Sequence, residues 1–84
     1  MPEQEIGHIE HYFSKAMVAA LKITKGDLKI GDTVHIKGHT TDFSQIIDSM
    51  QIDHKDVTQV KGGDDVGIKV KDHVRDKDTV YKVT

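Results

Sequence analysis

Six histidines in a chain of 84 residues are the first place to look for chemistry: His8, His11, His35, His39, His54 and His73. Imidazoles ligate metals and move protons, but a metal site needs three or four such groups, or carboxylates, converging on one point. Their spacing offers no such convergence. His8 and His11 fall on opposite faces of a strand pattern, His35 and His39 straddle a strand and the loop after it, and no H-E-x-x-H pair occurs. All six are read as surface histidines, with no metal and no cofactor expected. Ser14, Ser44 and Ser49 lack a nucleophile-elbow motif, and cysteine is absent, so covalent catalysis has no candidate. Asp64 and Asp65 pair two carboxylates at a glycine turn, where water solvates both and neither is tuned for acid–base work. A G-x-x-x-x-G-K-S/T loop is missing, so the chain is expected to bind no GTP and to be no enzyme.

The elements that would position these residues are strands. Nine Val, nine Ile and seven Thr stand against two Leu and three Ala, and β-branched side chains pack well on pleated surfaces while losing freedom in helices. One stretch, 49–71, organises the rest. It has an apolar strand end (Met50, Ile52), a charged excursion over 53–56, a glycine turn at Gly62-Gly63, and then strict alternation. Val66, Ile68 and Val70 face one way there and Gly67, Lys69 and Lys71 the other, as a half-buried strand requires. Residues 1–4 are polar and read as a frayed end. Ile6 and Ile9 stand on opposite parities within 5–13, which predicts a bulge near Gly7. Segment 16–24 could wind as a helix, but Met17, Ala19, Leu21 and Ile23 alternate without a helix cap, so it reads as a strand. Turns follow at Gly26 and at Gly31-Asp32, a strand at 33–37, a long strand at 43–52 with a parity slip at Ile46-Ile47, and a last strand at 79–83. Val57 and Val60 read as a linking segment.

The expectation is one domain spanning 1–84: an all-β, six-stranded antiparallel Greek-key β-barrel with an aliphatic core. Without a basic N-terminal region or a long apolar run, the chain reads as soluble and cytoplasmic, with no membrane partner. The absence of Asn and Cys and the many charged residues suggest a thermophilic source. The net charge of −2 gives no general surplus of cations for phosphate binding, so any RNA contact must be local.

Three pieces of the chain resemble the second domain of translational GTPases such as elongation factor Tu and elongation factor 1-alpha. The run from Thr24 through Lys25, Gly26, Asp27, Leu28, Lys29, Ile30, Gly31 and Asp32 to Val34 is similar to that family's G-x-h-K-x-G-D-x-h hairpin. Ser49-Met50-Gln51-Ile52 resembles the strand after it, and Gly63-Asp64-Asp65-Val66-Gly67 its G-D-x-V-G turn. The resemblance implies a barrel that contacts tRNA or the ribosome and has lost its GTPase partner domain. It also implies a pocket at Gln51, where the family carries glutamate, and Lys77 stands where the family's last hairpin usually has glycine. The contact residues expected on that basis are Gln51, His54 and Lys55, with Lys69 and Lys71 on the neighbouring strand's outer face. Gly26, Gly31, Asp32, Gly63, Asp64 and Gly67 are read as turn and packing devices. Tyr12, Phe13 and Phe43 could stack unpaired bases, although alternation puts Phe43 and one of the Tyr12-Phe13 pair in the core. A similar barrel also occurs as an appended domain in some collagenase-like peptidases. That resemblance supports the alternative reading, a protein-docking domain that works with a separate enzyme or complex.

Overall fold

The computed structural model describes residues 2–83. It is built from strands and turns, with no helix among the described residues. Strand β1 (Glu3–Phe13) is followed by β2 (Val18–Ile23), β3 (Asp27–Lys29), β4 (Thr33–Lys37) and β5 (Asp42–Ile46). Then come β6 (Met50–Ile52), β7 (Lys55–Asp56), β8 (Gln59–Lys61), β9 (Asp65–Lys69) and β10 (Thr79–Val83). All pairings are antiparallel: an eight-stranded sheet in the order β5-β4-β10-β1-β2-β9-β6-β7, and a two-stranded sheet of β3 and β8.

The expected all-β antiparallel character holds, but the closed six-stranded barrel does not. The large sheet ends at β5 on one side and β7 on the other, with no ladder joining them. The long strand expected over 43–52 breaks at Ile47. Ile46 is 62% exposed and Ile47 is 1% exposed, so the parity slip is a break where the chain crosses from one end of the sheet to the other. The additional strands β3, β7 and β8 are two or three residues long, too short for a period-two pattern to register in sequence. Leu28 and Val60, which lie opposite each other in the small sheet, are nonetheless fully buried.

Where long strands were expected the alternation is real. Val66, Ile68 and Val70 are buried, as are Val34 and Ile36, and Ala19, Leu21 and Ile23 form the inward face of β2. The buried side chains make one continuous cluster, against which Tyr12, Phe43, Ile52 and Val57 pack. β1 slips register between Glu5 and Gly7 against β10, and again between Ile9 and His11 against β2. The first slip lets both Ile6 and Ile9 point into the core. At Gly7 a methyl group would lie 1.9 Å from the Lys22 carbonyl oxygen, so only glycine lets β2 approach there. Gly67, read as a packing device, has ordinary room: a methyl there would meet Val18 Cγ1 at 3.5 Å. Glu3 and Gln4, read as a frayed end, lie opposite Val83 and Lys82 in the β1–β10 ladder.

Candidate functional site

Among the described residues two grooves stand out, one beside the edge strand β5 and one on the outer face of the sheet. The first is the seam where the barrel fails to close. A groove of about 700 Å³ runs there between β5 and the end of β9, lined by Ser44, Gln45, Ile46, Lys69, Val70 and Lys71 among others. Gln45 spans it. Its Nε2 donates to the Lys69 carbonyl oxygen at 2.8 Å, and its Oε1 accepts from the Lys71 N–H at 2.9 Å. A carboxamide has the donor and acceptor of a peptide group, so one side chain stands in for the missing ladder. The Lys71 ammonium lies 6.0 Å from the centroid of the Phe43 ring, at the long limit of a cation–π contact.

The second groove, about 610 Å³, lies on the outer face of β2, β9 and β6. Its floor is Val18, Ala20 and Gly67, small groups that leave a depression, and its rim carries Phe13, Gln51, Asp53, His54 and Asp65. Phe13 is 51% exposed, its ring edge-on to His11 with centroids 4.5 Å apart. Asp53 and His54 form the two-residue turn joining β6 to β7, at φ 52° and 65°. Two consecutive left-handed residues are what a tight hairpin turn of matching twist requires, and Asp and His tolerate that region better than most residues.

The residues expected to form one contact surface are thus divided. Gln51 and His54 lie on the second groove, Lys69 and Lys71 on the seam, and Lys55 sits on β7 outside both linings. Gln51 is engaged within its own hairpin, donating from Nε2 to Asp56 Oδ1 at 3.0 Å. The turn residues have clear roles. Gly26, Gly31 and Gly63 hold φ of 74°, 95° and 98°. Asp32 and Asp64 accept from the Lys29 and Lys61 N–H groups, each at 3.0 Å. Lys77 adopts φ 74°, a conformation in which glycine is usual. Tyr12 and Phe43 pack against the core, which leaves Phe13 as the exposed ring.

The partnership of His35 has no signal in the sequence, where nothing sets it apart from the other five histidines. Its side chain is 17% exposed and stands between two acids: Nδ1 meets a Glu3 carboxylate oxygen at 2.8 Å, and Nε2 meets Asp42 Oδ1. The bond to Asp42 raises the imidazole pKa above its ordinary value against the opposing effect of burial, and Glu3 adds to the rise. The same bond lowers the Asp42 pKa. Residues of three strands converge here: the β4–β5 pairing brings Asp42 to His35, and the pairing of β10 with both β4 and β1 brings in Glu3 from 32 residues away. No group of three His, Asp or Glu residues among those described is arranged to hold a metal ion.

The fold and its margins define a small open antiparallel β-domain. The same fold occurs in the crystallised C-terminal domain of a Geobacillus thermoleovorans protein described as a U32 peptidase, with a TM-score of 0.88 at 18% identity, covering 96% of this chain and 93% of that one. Its selenomethionine variant superposes with a TM-score of 0.85 at 19% identity. The curated relatives point the same way. An uncharacterized protease of Methanocaldococcus jannaschii is 45% identical over 78 residues, which is 92% of this chain and 19% of the protease. A Porphyromonas gingivalis collagenase is 35% identical over 72 residues, 84% of this chain and 20% of the collagenase. The chain therefore spans about a fifth of the length of the curated relatives it matches. No family model matches it. These similarities overturn the translation-factor reading: the relatives are named as peptidases, and the proposed contact with tRNA or the ribosome falls with it. The glycine-aspartate turns behind that reading are generic hairpin chemistry that unrelated β-domains share.

Proposed function

We propose that this chain is a non-catalytic accessory domain that docks with the catalytic unit of a peptidase. The observation that carries the proposal is the 45% identity across 92% of this chain to a segment making up only 19% of a protease. The chemistry of the described residues supports it. His35 is bonded to carboxylates, the serine hydroxyls have no imidazole partner, and there is no cysteine, so no nucleophile is paired with a base. The two grooves are open to solvent rather than enclosed, which suits a protein surface better than an enclosed substrate site.

Co-expression tests this reading. The 84-residue chain is produced together with the P. gingivalis collagenase from which the matching segment has been removed, and peptide release from denatured collagen is assayed. The two polypeptides should co-purify, and the chain alone should release no peptide. Failure to associate, or cleavage by the chain alone, would show the proposal to be wrong.

A further inference from the structure

We infer that the free edge of β5 is a strand-docking site, where the outward N–H and C=O groups of Asp42, Ser44 and Ile46 take an extended, proline-free segment of a partner protein. The orientation of those groups follows from the register. The Gly38 N–H donates to the Thr41 carbonyl at 2.7 Å, and the Ile47 N–H donates to the Asp32 carbonyl at 2.8 Å, one bond at each end of the β4–β5 pair. Bonded positions alternate along an antiparallel ladder. With Val34 opposite Gln45 and Ile36 opposite Phe43, the backbone groups of Phe43 and Gln45 turn toward β4. Those of Asp42, Ser44 and Ile46 therefore turn away, toward the seam, and no strand lies beyond them.

An open edge is a template for another strand, and proteins normally blunt it with lysine, proline, a bulge or short length. The two ends of this sheet differ in that respect. The β7 end is two residues long and carries Lys55 and Asp56. The β5 end is five residues long, with neither lysine nor proline, and pairs with β4 without a register shift. Ile46 is 62% exposed at its end, so an apolar side chain on the incoming strand has a surface to cover. On the opposite wall of the groove, the Lys69 carbonyl and Lys71 N–H are already taken by the Gln45 carboxamide, so the incoming strand pairs with β5 alone. An unpaired row of backbone donors and acceptors selects a polypeptide strand by its own geometry, with side-chain pockets adding preference.

This inference rests on the docking reading for the partner's identity, but its test does not. A displayed library of short random peptides is selected against the whole chain, and binders are mapped by backbone amide NMR. The expected binders lack proline at their centre and protect the amides of Asp42, Ser44 and Ile46 from exchange. Ser44→Pro removes one outward donor without touching the ladder to β4, a position where proline is tolerated. It should weaken binding by about tenfold or more while leaving the thermal midpoint nearly unchanged, and Ser44→Ala should bind like the parent. If Ser44→Pro does not fold, Ile46→Lys, a charge placed on the edge, should give the same loss. An empty selection, a footprint elsewhere, or undiminished binding by the folded variants would overturn the inference. If the chain associates with the peptidase unit while the β5 amides stay unprotected, the edge inference falls and the docking reading stands.

Discussion

At the scale of single residues, the most informative side chain is His35. Both ring nitrogens face carboxylates, from Glu3 and Asp42, and only the imidazolium can donate to both. Its raised pKa means that its contribution to stability is complete below the ordinary imidazole range and is lost as pH rises through the raised value. Asp42 has a lowered pKa, so its share is present above the ordinary carboxylate range and is lost as pH falls through the lowered value. The bridge is therefore made in full between those two ranges. Asp42→Asn, which removes the first cause of the rise, should move the His35 titration midpoint downward in an NMR titration; an unmoved midpoint would contradict the assignment. Gly7 is the other telling residue, because a side chain there would collide with backbone rather than with a movable group. Gly7→Ala should cost about 3 kcal/mol or more and lower the melting temperature by over about 10 °C, as read by calorimetry. The bulge at Gly7 was legible from the clash of parity between Ile6 and Ile9, whereas the identity of the colliding carbonyl, that of Lys22, was not.

At the scale of elements, the small sheet of β3 and β8 carries more than its length suggests. Leu28 is completely buried, and Lys82 of β10 reaches across to Asp27 at 3.1 Å and to Asp32 at 3.4 Å. The bond to Asp27 raises the Lys82 pKa, so the ammonium stays charged while it ties the last strand to the small sheet. The sequence marked the turn at Gly31-Asp32 but not the strands on either side of this sheet, since three residues cannot display a period. Leu28→Ala should destabilise the domain by about 2–5 kcal/mol in urea unfolding, the cost of a cavity under a structure that has little else to collapse into it. The Gln45 bridge is a second feature of this scale. Gln45→Leu should lose about 0.5–1.5 kcal/mol, the net worth of a typical hydrogen bond, since water replaces the carboxamide at the Lys69 carbonyl and the Lys71 N–H, and the Lys71 amide should exchange faster. Unchanged exchange would mean that the seam does not depend on the carboxamide.

At the scale of the whole molecule, the main sheet is open, and no ladder joins its edge strands β5 and β7. Similar segments make up about a fifth of a protease and of a collagenase. The sequence by itself determined that the molecule is made of strands, because β-branched residues and strict alternation at 66–70 and 33–37 leave no helical solution. It also located the last strand and the glycine turns, which are properties of neighbouring residues. Only the tertiary structure decided that the sheet stays open, that β5 is left with a bare edge, and that Glu3, His35 and Asp42 meet. Closure, edge and ion pairing depend on which strands become neighbours, and strand order is set by contacts between residues far apart along the chain, which local periodicity does not encode.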